Sequence, residues 1–230
     1  MKRKALKAAF PYTIPVMTGY LFLGISYGVL MTSSGFPFWM PMLTSTVIFA
    51  GSMEFVLVNL LLDGFDLLQA FLMTLMINAR HLFYGISMLD RYRGTGWKKL
   101  YLIFGLTDES FSVNCVTDPP ADVDRGWFAF FVTLLDHCYW FAGASLGGLF
   151  GSLIRFNTEG LDFVMTAMFV VIFLEQWKKE KNHTSAILGL VLPILCLILF
   201  GADRFMIPAM IAILFGLRAV RKPLERSAGV

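Results

Sequence analysis

The chain has 230 residues, 57% of them hydrophobic and 15% charged, with a formal net charge of +3 and a mean hydropathy of +0.68. A soluble domain carries about 25% charged residues, and a nucleic-acid reader needs a broad basic face on a soluble scaffold. The long apolar runs leave no room for either, and they point to one membrane domain over residues 1–230, because about 18 apolar residues suffice to cross a bilayer as a helix.

In chain order, Lys2, Arg3, Lys4 and Lys7 precede a first apolar run from Pro11 to Met31. A basic start before an apolar run resembles a signal peptide. This run is too long for a signal core and contains Pro15, Gly19, Gly24 and Gly28, so a retained first span is expected. Gly24 and Gly28 are four apart, a spacing that suits close helix packing in lipid. The second run, Phe36 to Leu62, is interrupted at Gly51-Ser52 and Glu54. The third, Phe65 to Leu89, carries Asn78, Arg80 and His81, and the fourth, Leu100 to Val116, has Asp108-Glu109-Ser110 in its middle. The fifth, Trp127 to Leu153, contains Asp136-His137. Leu161 to Trp177, Thr184 to Phe200 (with Pro193 inside) and a short Phe205 to Leu217 complete the set. The expected fold is all-α and polytopic, with about six to eight membrane helices.

Fifteen of the 19 basic residues fall in four blocks: Lys2 to Lys7, then Arg91, Arg93, Lys98 and Lys99, then Lys178, Lys179 and Lys181, then Arg218, Arg221, Lys222 and Arg226. Cytoplasmic loops are enriched in Lys and Arg, which places all four blocks and both termini in the cytoplasm. An even number of crossings must then separate successive blocks, yet three apolar runs lie between the first and second, and three between the second and third. One run in each triplet should break or re-enter. The candidates are the second, near Gly51-Ser52, and the fourth, near Asp108-Glu109. Non-helical backbone at membrane depth survives only against protein or a water-filled cavity, and paired broken segments point to a transporter's binding site.

Ionisable groups at membrane depth cost at least about 2.5 kcal/mol each on insertion scales. Glu54, Arg80, His81, Asp108, Glu109, Asp136 and His137 all need an explanation. A break at Gly51-Ser52 would expose N–H groups that hold a carboxylate, with Glu54 nearby to hold an ammonium or to pair with Arg80. Asn78 and His81 are three apart and share a helix face; Arg80 points elsewhere, to neutralise Glu54 or Asp108, to meet a substrate carboxylate, or to snorkel to the cytoplasmic end. Asp108 and Glu109 would diverge on a regular helix, whereas a break would let both face a cavity and carry protons. Asp136-His137-Cys138 is read as a packed polar contact, since adjacent helical residues do not converge on one ion, and His183 as solvated. Cys115, Cys138 and Cys196 suggest no disulfide or zinc framework. No Walker loop, H-E-x-x-H, G-x-S-x-G or G-x-G-x-x-G pattern is present. No cofactor or metal is expected, and any uphill transport would draw on ion or substrate gradients.

Three motifs then coincide: A-G-S-M-E-F from Ala50 to Phe55, N-A-R-H-L-F-Y-G from Asn78 to Gly85, and T-D-E-S-F from Thr107 to Phe111. They are followed by Leu161-Asp162-Phe163, Thr166-Ala167 and Phe169. In this order and spacing they resemble the AzlC family, the large subunit of branched-chain amino-acid exporters. The resemblance implies a plasma-membrane efflux permease for leucine, isoleucine, valine or similar apolar amino acids, working with a small AzlD-type membrane subunit. The family commonly has Gln where this chain has Glu54, a change that bears on substrate charge or ion coupling. The expected substrate site is Gly51, Ser52, Glu54, Phe55, Asn78, Arg80, Asp108 and Phe111, with Leu82 and Phe83 adding apolar contact. His81, Asp108 and Glu109 are the expected proton carriers. A channel or scaffold subunit, and an intramembrane enzyme using the Asp/Glu/His set, are the alternatives.

Overall fold

The computed structural model of the chain describes residues 2–62, 64–153, 182–201 and 205–227, with isolated positions 167, 170, 173, 174, 177 and 178. It divides into two compact units, Met1–Met165 and Thr166–Val230. The first holds α1 (Lys2–Ser33), α2 (Trp39–Val47), α3 (Gly51–Leu62), α4 (Leu67–Ile77), α5 (Ala79–Met88), α6 (Lys98–Phe104), α7 (Asp108–Val116) and α8 (Arg125–Leu153). The second holds α9 (Thr184–Phe200) and α10 (Met206–Ser227). No strand occurs among the described residues.

Two long helices organise the first unit. At 1.5 Å rise per residue, α1 and α8 are each about 45 Å long, longer than the roughly 30 Å hydrocarbon core of a bilayer. Of the described helices, α1 is long and apolar enough to count as a membrane span on length and composition. The two pack through small residues. A Cβ on Gly24 would come within 2.9 Å of the Ala144 nitrogen, and one on Gly143 within 2.9 Å of the Leu21 and Tyr20 carbonyls. Cβ atoms on Gly28 and Gly147 would run into the backbones at Ala144 and Ile25. Close backbone approach through small residues four apart is how helices associate where no hydrophobic drive acts between them.

The remaining helices of this unit have 7 to 12 residues each and are too short to span alone. Their contacts define two hairpins that start from opposite ends of the α1–α8 pair. One end is basic. Lys2 and Lys98 both lie over the Trp127 ring, 4.6 and 4.5 Å from its centroid. At that end Lys4 pairs with Asp122 at 2.8 Å and Arg91 approaches Asp118 at 3.6 Å. The Lys4 ammonium holds the Asp122 carboxyl below the usual carboxylate range, but both groups are exposed and such pairs contribute little stability.

The first hairpin, α2–α3, begins at the far end, where Phe38 and Pro41 press on Gly148 of α8. It reverses at Ile48–Ala50 and returns with Val58 and Leu61 beside Tyr27 and Met31. The second, α6–α7, begins at the basic end with Lys98 and reverses at Gly105–Thr107. It returns to the basic end, where the Asn114 carbonyl accepts from Arg91 at 2.9 Å. Between the hairpins, α4 packs beside α3 through Met53, Leu60, Ala70 and Ile77. In turn α5 runs parallel to α7, matching Arg80 with Asp108, Tyr84 with Phe111 and Arg91 with Asn114. The two reversals meet in the middle, where the Phe49 and Phe104 rings are 6.4 Å apart beside His137.

The sequence leads to an expectation of two breaks, and the structure adds a third. The run Phe65 to Leu89, expected as one helix through Asn78, stops and restarts at Asn78 (φ −96°, ψ 8°). The sixth expected segment, Leu161 to Trp177, and the motif residues within it lie almost wholly outside the described residues. In the second unit His183 is not solvated as expected. Its ring stacks on Trp177, 4.0 Å between centroids, where an aromatic face replaces water.

The surface is largely apolar, and the interior holds polar and ionisable side chains. Leu67, Leu100 and Val116 are more than three-quarters exposed, while Glu54, Thr133 and Asp136 are wholly buried. Such large exposed apolar area suits a lipid or protein surround.

Because the α1–α8 contact has no room for a Cβ, Gly28→Val is expected to destabilise the purified protein by about 1–3 kcal/mol or more, read as a lower thermal unfolding midpoint in detergent. Gly19 is the control: it lies on the same helix, and a Cβ added there would meet nothing within 4 Å. Gly19→Ala should leave the midpoint unchanged or raise stability by up to about 1 kcal/mol.

Candidate functional site

The three breaks line one cavity of about 310 Å³, at the small end of the roughly 300–1,000 Å³ typical of ligand sites. Ile48, Phe49 and Ala50 come from the first reversal, Asn78 and His81 from the α4–α5 break, and Ile103, Phe104 and Leu106 from the second reversal. Leu82, Gly85 and Met88 of α5, with Leu89 just after it, close one wall, and Tyr92 and Lys99 lie towards the basic end. Most of the lining is apolar, with a few polar groups to orient a ligand.

Each reversal is built by local chemistry. Phe49 adopts φ +46°, a left-handed conformation rare for a bulky residue and of order 1–3 kcal/mol in strain. Its ring is buried and stacks on His137 at 4.2 Å. His137 Nε2 donates to the Ser45 carbonyl at 3.1 Å, so in the neutral ring Nδ1 accepts from the Tyr101 hydroxyl at 2.9 Å. One imidazole thus ties α2 and α6 to α8. At the second reversal Thr107 and Ser110 form a reciprocal capping box at the start of α7: Ser110 N–H donates to Thr107 Oγ1 at 3.2 Å, and Thr107 N–H to Ser110 Oγ at 2.8 Å. A capping box satisfies two otherwise orphan donors.

The two hairpins each place an acid in the first turn of their second helix. Glu54 Oε1 accepts from Ala50 N–H and from Trp140 Nε1–H, both at 3.0 Å, while Oε2 has no partner among the described residues. Glu109 Oε2 accepts from the Tyr20 hydroxyl at 2.6 Å, which also reaches Thr107 Oγ1 at 2.9 Å. The Tyr20 and Trp140 rings meet edge to face, 5.6 Å apart. The order Glu109, Tyr20, Trp140, Glu54 therefore runs without interruption from one hairpin to the other across the α1–α8 pair.

The expected site residues separate into three places. Asn78 and His81 line the cavity, with His81 Nδ1 3.3 Å from the Asn78 carbonyl. Gly51, Ser52, Glu54 and Phe55 pack instead against the long helices: Gly51 faces the Trp140 ring and Phe55 the Tyr27 ring. Arg80 pairs with Asp108 at 3.0 Å rather than with Glu54, and Phe111 stacks on Tyr84 at 4.3 Å. Asp108 and Glu109 do diverge: the capped helix keeps them in successive positions of a regular turn, so they do not share a cavity. Leu82 and Phe83 are both exposed, and of the two Leu82 lines the cavity. Asp136 is buried and Cys138 exposed, so the tripeptide does not converge. Among the described residues no group of three or more His, Cys, Asp or Glu could hold a metal ion.

Sequence reasoning misses Tyr20, Phe49, Trp140 and Tyr101. Tyr20, Trp140 and Tyr101 do carry a signal, since a Tyr or Trp inside an apolar run needs a partner for its O–H or N–H. The second unit holds a cavity of about 300 Å³ beside Phe173, Trp177 and His183.

These features define an all-helical protein with an apolar exterior, two opposed helical hairpins and a polar centre. The family profile described as AzlC protein matches residues 15–154, the region that contains both hairpins. The branched-chain amino acid transport protein AzlC of Bacillus subtilis is 64% identical over 97% of this chain and 88% of that protein. A membrane protein of Haemophilus influenzae without assigned function is 47% identical over 91% of this chain and 86% of its own length. The inner membrane protein YgaZ of Escherichia coli is 26% identical over 89% and 83%. No solved structure matches the chain. The chain belongs to the AzlC family, and it is a membrane protein whose described elements are all helices.

The Glu54 contacts give a stability test. Glu54→Ala leaves the buried Trp140 N–H without an acceptor and should cost about 1–3 kcal/mol, whereas Glu54→Gln keeps an oxygen for both donors and should cost less. Thermal unfolding of the two purified variants in detergent reads the difference.

Proposed function

We propose that this protein is a secondary transporter that exports branched-chain or similar apolar amino acids, with the three-break cavity as its substrate site. The observation that carries the reading is the convergence of three helix breaks on one apolar cavity. Broken helices at the midplane are the usual construction of transporter sites, because their free backbone N–H and C=O groups can bind ligand. Support for the substrate class comes from the 64% identical Bacillus subtilis protein, named for branched-chain amino acid transport. Export, and a small AzlD-type partner subunit, follow from the resemblance to exporter large subunits.

In this reading the substrate side chain packs against Ile48, Leu82, Ile103, Phe104 and Leu106. Its charged groups meet Asn78 and His81, since the N–H groups of residues 48–50 already donate to the Thr44 carbonyl and to Glu54. Arg80 and Asp108 satisfy each other and shape the wall behind α5. Of the expected proton carriers, His81 lines the cavity and Glu109 stands beside the second reversal. Residues 1–230 form one permease domain. The basic end faces the cytoplasm, α2–α3 re-enters from outside and α6–α7 from inside. Lys2 and Lys98 sharing the Trp127 ring support that topology, since they bring the first two basic blocks to one end.

The test is counterflow of labelled leucine, isoleucine and valine in proteoliposomes, with and without the co-expressed small subunit. Gly85 lines the cavity and has nothing within 4 Å of a Cβ position. Gly85→Phe should therefore insert normally, fill the cavity and reduce counterflow at least about tenfold, the factor that 1.4 kcal/mol represents. Wild-type counterflow in Gly85→Phe would remove the cavity from the pathway. Flux that never exceeds equilibrium under any ion gradient would favour a channel.

A further inference from the structure

Asp136 sits in the middle of α8, wholly buried, and neither carboxyl oxygen has a hydrogen-bond partner among the described residues. Thr133, one turn earlier on the same face, is also wholly buried, and its hydroxyl has no partner among the described residues. The Thr133 methyl fills the space beside Gly105, so this face looks onto the α6–α7 reversal. The titratable groups acting on Asp136 from neighbouring helices are Glu109 of α7, Tyr20 of α1 and Tyr101 of α6. From α2 the Ser45 carbonyl is engaged by His137. None of these is a cation.

Three acids near the second reversal thus have three different settings. Asp108 has the Arg80 guanidinium at 3.0 Å. Glu109 lies in the first turn of α7, where free backbone N–H groups favour an anion. It also accepts a 2.6 Å bond from Tyr20, a length typical of an O–H donor to a charged oxygen. Among the described residues Asp136 has neither a donor nor a cation beside it, and it lies far from both ends of α8. A bare buried carboxylate is among the costliest groups to place in a protein, and such a group becomes neutral instead.

We propose that Asp136 is a proton-binding site: it carries a proton in the conformation described here, beside the Glu109 carboxylate. It releases that proton when the α6–α7 reversal moves and admits water. Only the O–H bond breaks, and the proton passes to water as hydronium, leaving a carboxylate that water then solvates. The coupling role rests on the proposed function: the proton bound at Asp136 is the one whose gradient drives transport.

Infrared spectroscopy of the purified protein at neutral pH tests the site directly. The carbonyl stretch of a protonated carboxyl is expected, displaced when aspartate carries a ¹³C carboxyl label and lost in Asp136→Asn. The labelled wild-type protein keeps the test decisive if the variant folds poorly. Absence of the band, or a band unmoved by the label, overturns the proposal. In proteoliposomes, Asp136→Asn is expected to lose accumulation driven by a pH gradient; wild-type accumulation in that variant overturns the coupling role. If the wild-type protein shows no counterflow at all, the transport reading fails, and the infrared band alone decides the proton site.

Discussion

The first unit depends on the contact between α1 and α8. Lipid tails are as apolar as leucine, so burial alone does not drive two membrane helices together, and close backbone packing must do it. Gly24 and Gly28 on one side, and Gly143, Gly147 and Gly151 on the other, leave no space for a Cβ. That approach brings Tyr20 and Tyr27 of α1 against Trp140 of α8. Those rings are what the two hairpin acids attach to. Widening the contact by one methyl would separate the aromatic residues that hold both reversals in place.

Much of this arrangement is legible in the sequence, for identifiable reasons. The spacing of Gly24 and Gly28 announces close packing. Gly51-Ser52 and Thr107-Asp108-Glu109-Ser110 announce helix starts inside apolar runs, and α3 and α7 begin at those places. The break at Asn78 is not legible. The run before it is strongly apolar and contains no Gly or Pro, so nothing local stops a helix there except one short polar side chain. This third break also removes the force of counting crossings between basic blocks, since every run between the first and second block except α1 is now interrupted. Contact between Lys2, Lys98 and Trp127 brings the first two blocks to one end, which a count cannot do.

The candidate site is less legible than the fold, because its residues are paired by the hairpin reversals rather than by sequence spacing. By spacing alone Arg80 could meet Glu54 or Asp108. The parallel run of α5 beside α7 gives it Asp108 and leaves Glu54 to Trp140, 86 residues away. Asp108 and Glu109 look equivalent as neighbours in a string. A capped first turn sends one towards α5 and the other towards α1. Phe49 gives no local warning of its positive φ, since the compensation comes from His137 on a distant helix.

The two hairpins carry a shared logic. Each reverses beside the middle of the long pair, starts its second helix with an acid in the first turn, and fastens that acid to an aromatic residue on the long pair: Glu54 to Trp140, Glu109 to Tyr20. They begin at opposite ends of α1 and α8, which is the inverted relation found in transporters that alternate access by moving one part against another. The glycine-packed pair has no room to shift, because its backbones are already in contact. The reversals are held mainly through side chains, and the charge of a carboxyl decides how strongly it accepts from Tyr or Trp. Protonation and hairpin position are therefore linked in both directions: whatever changes the charge at a reversal changes how firmly that reversal is held, and moving a reversal changes the water available to its acid.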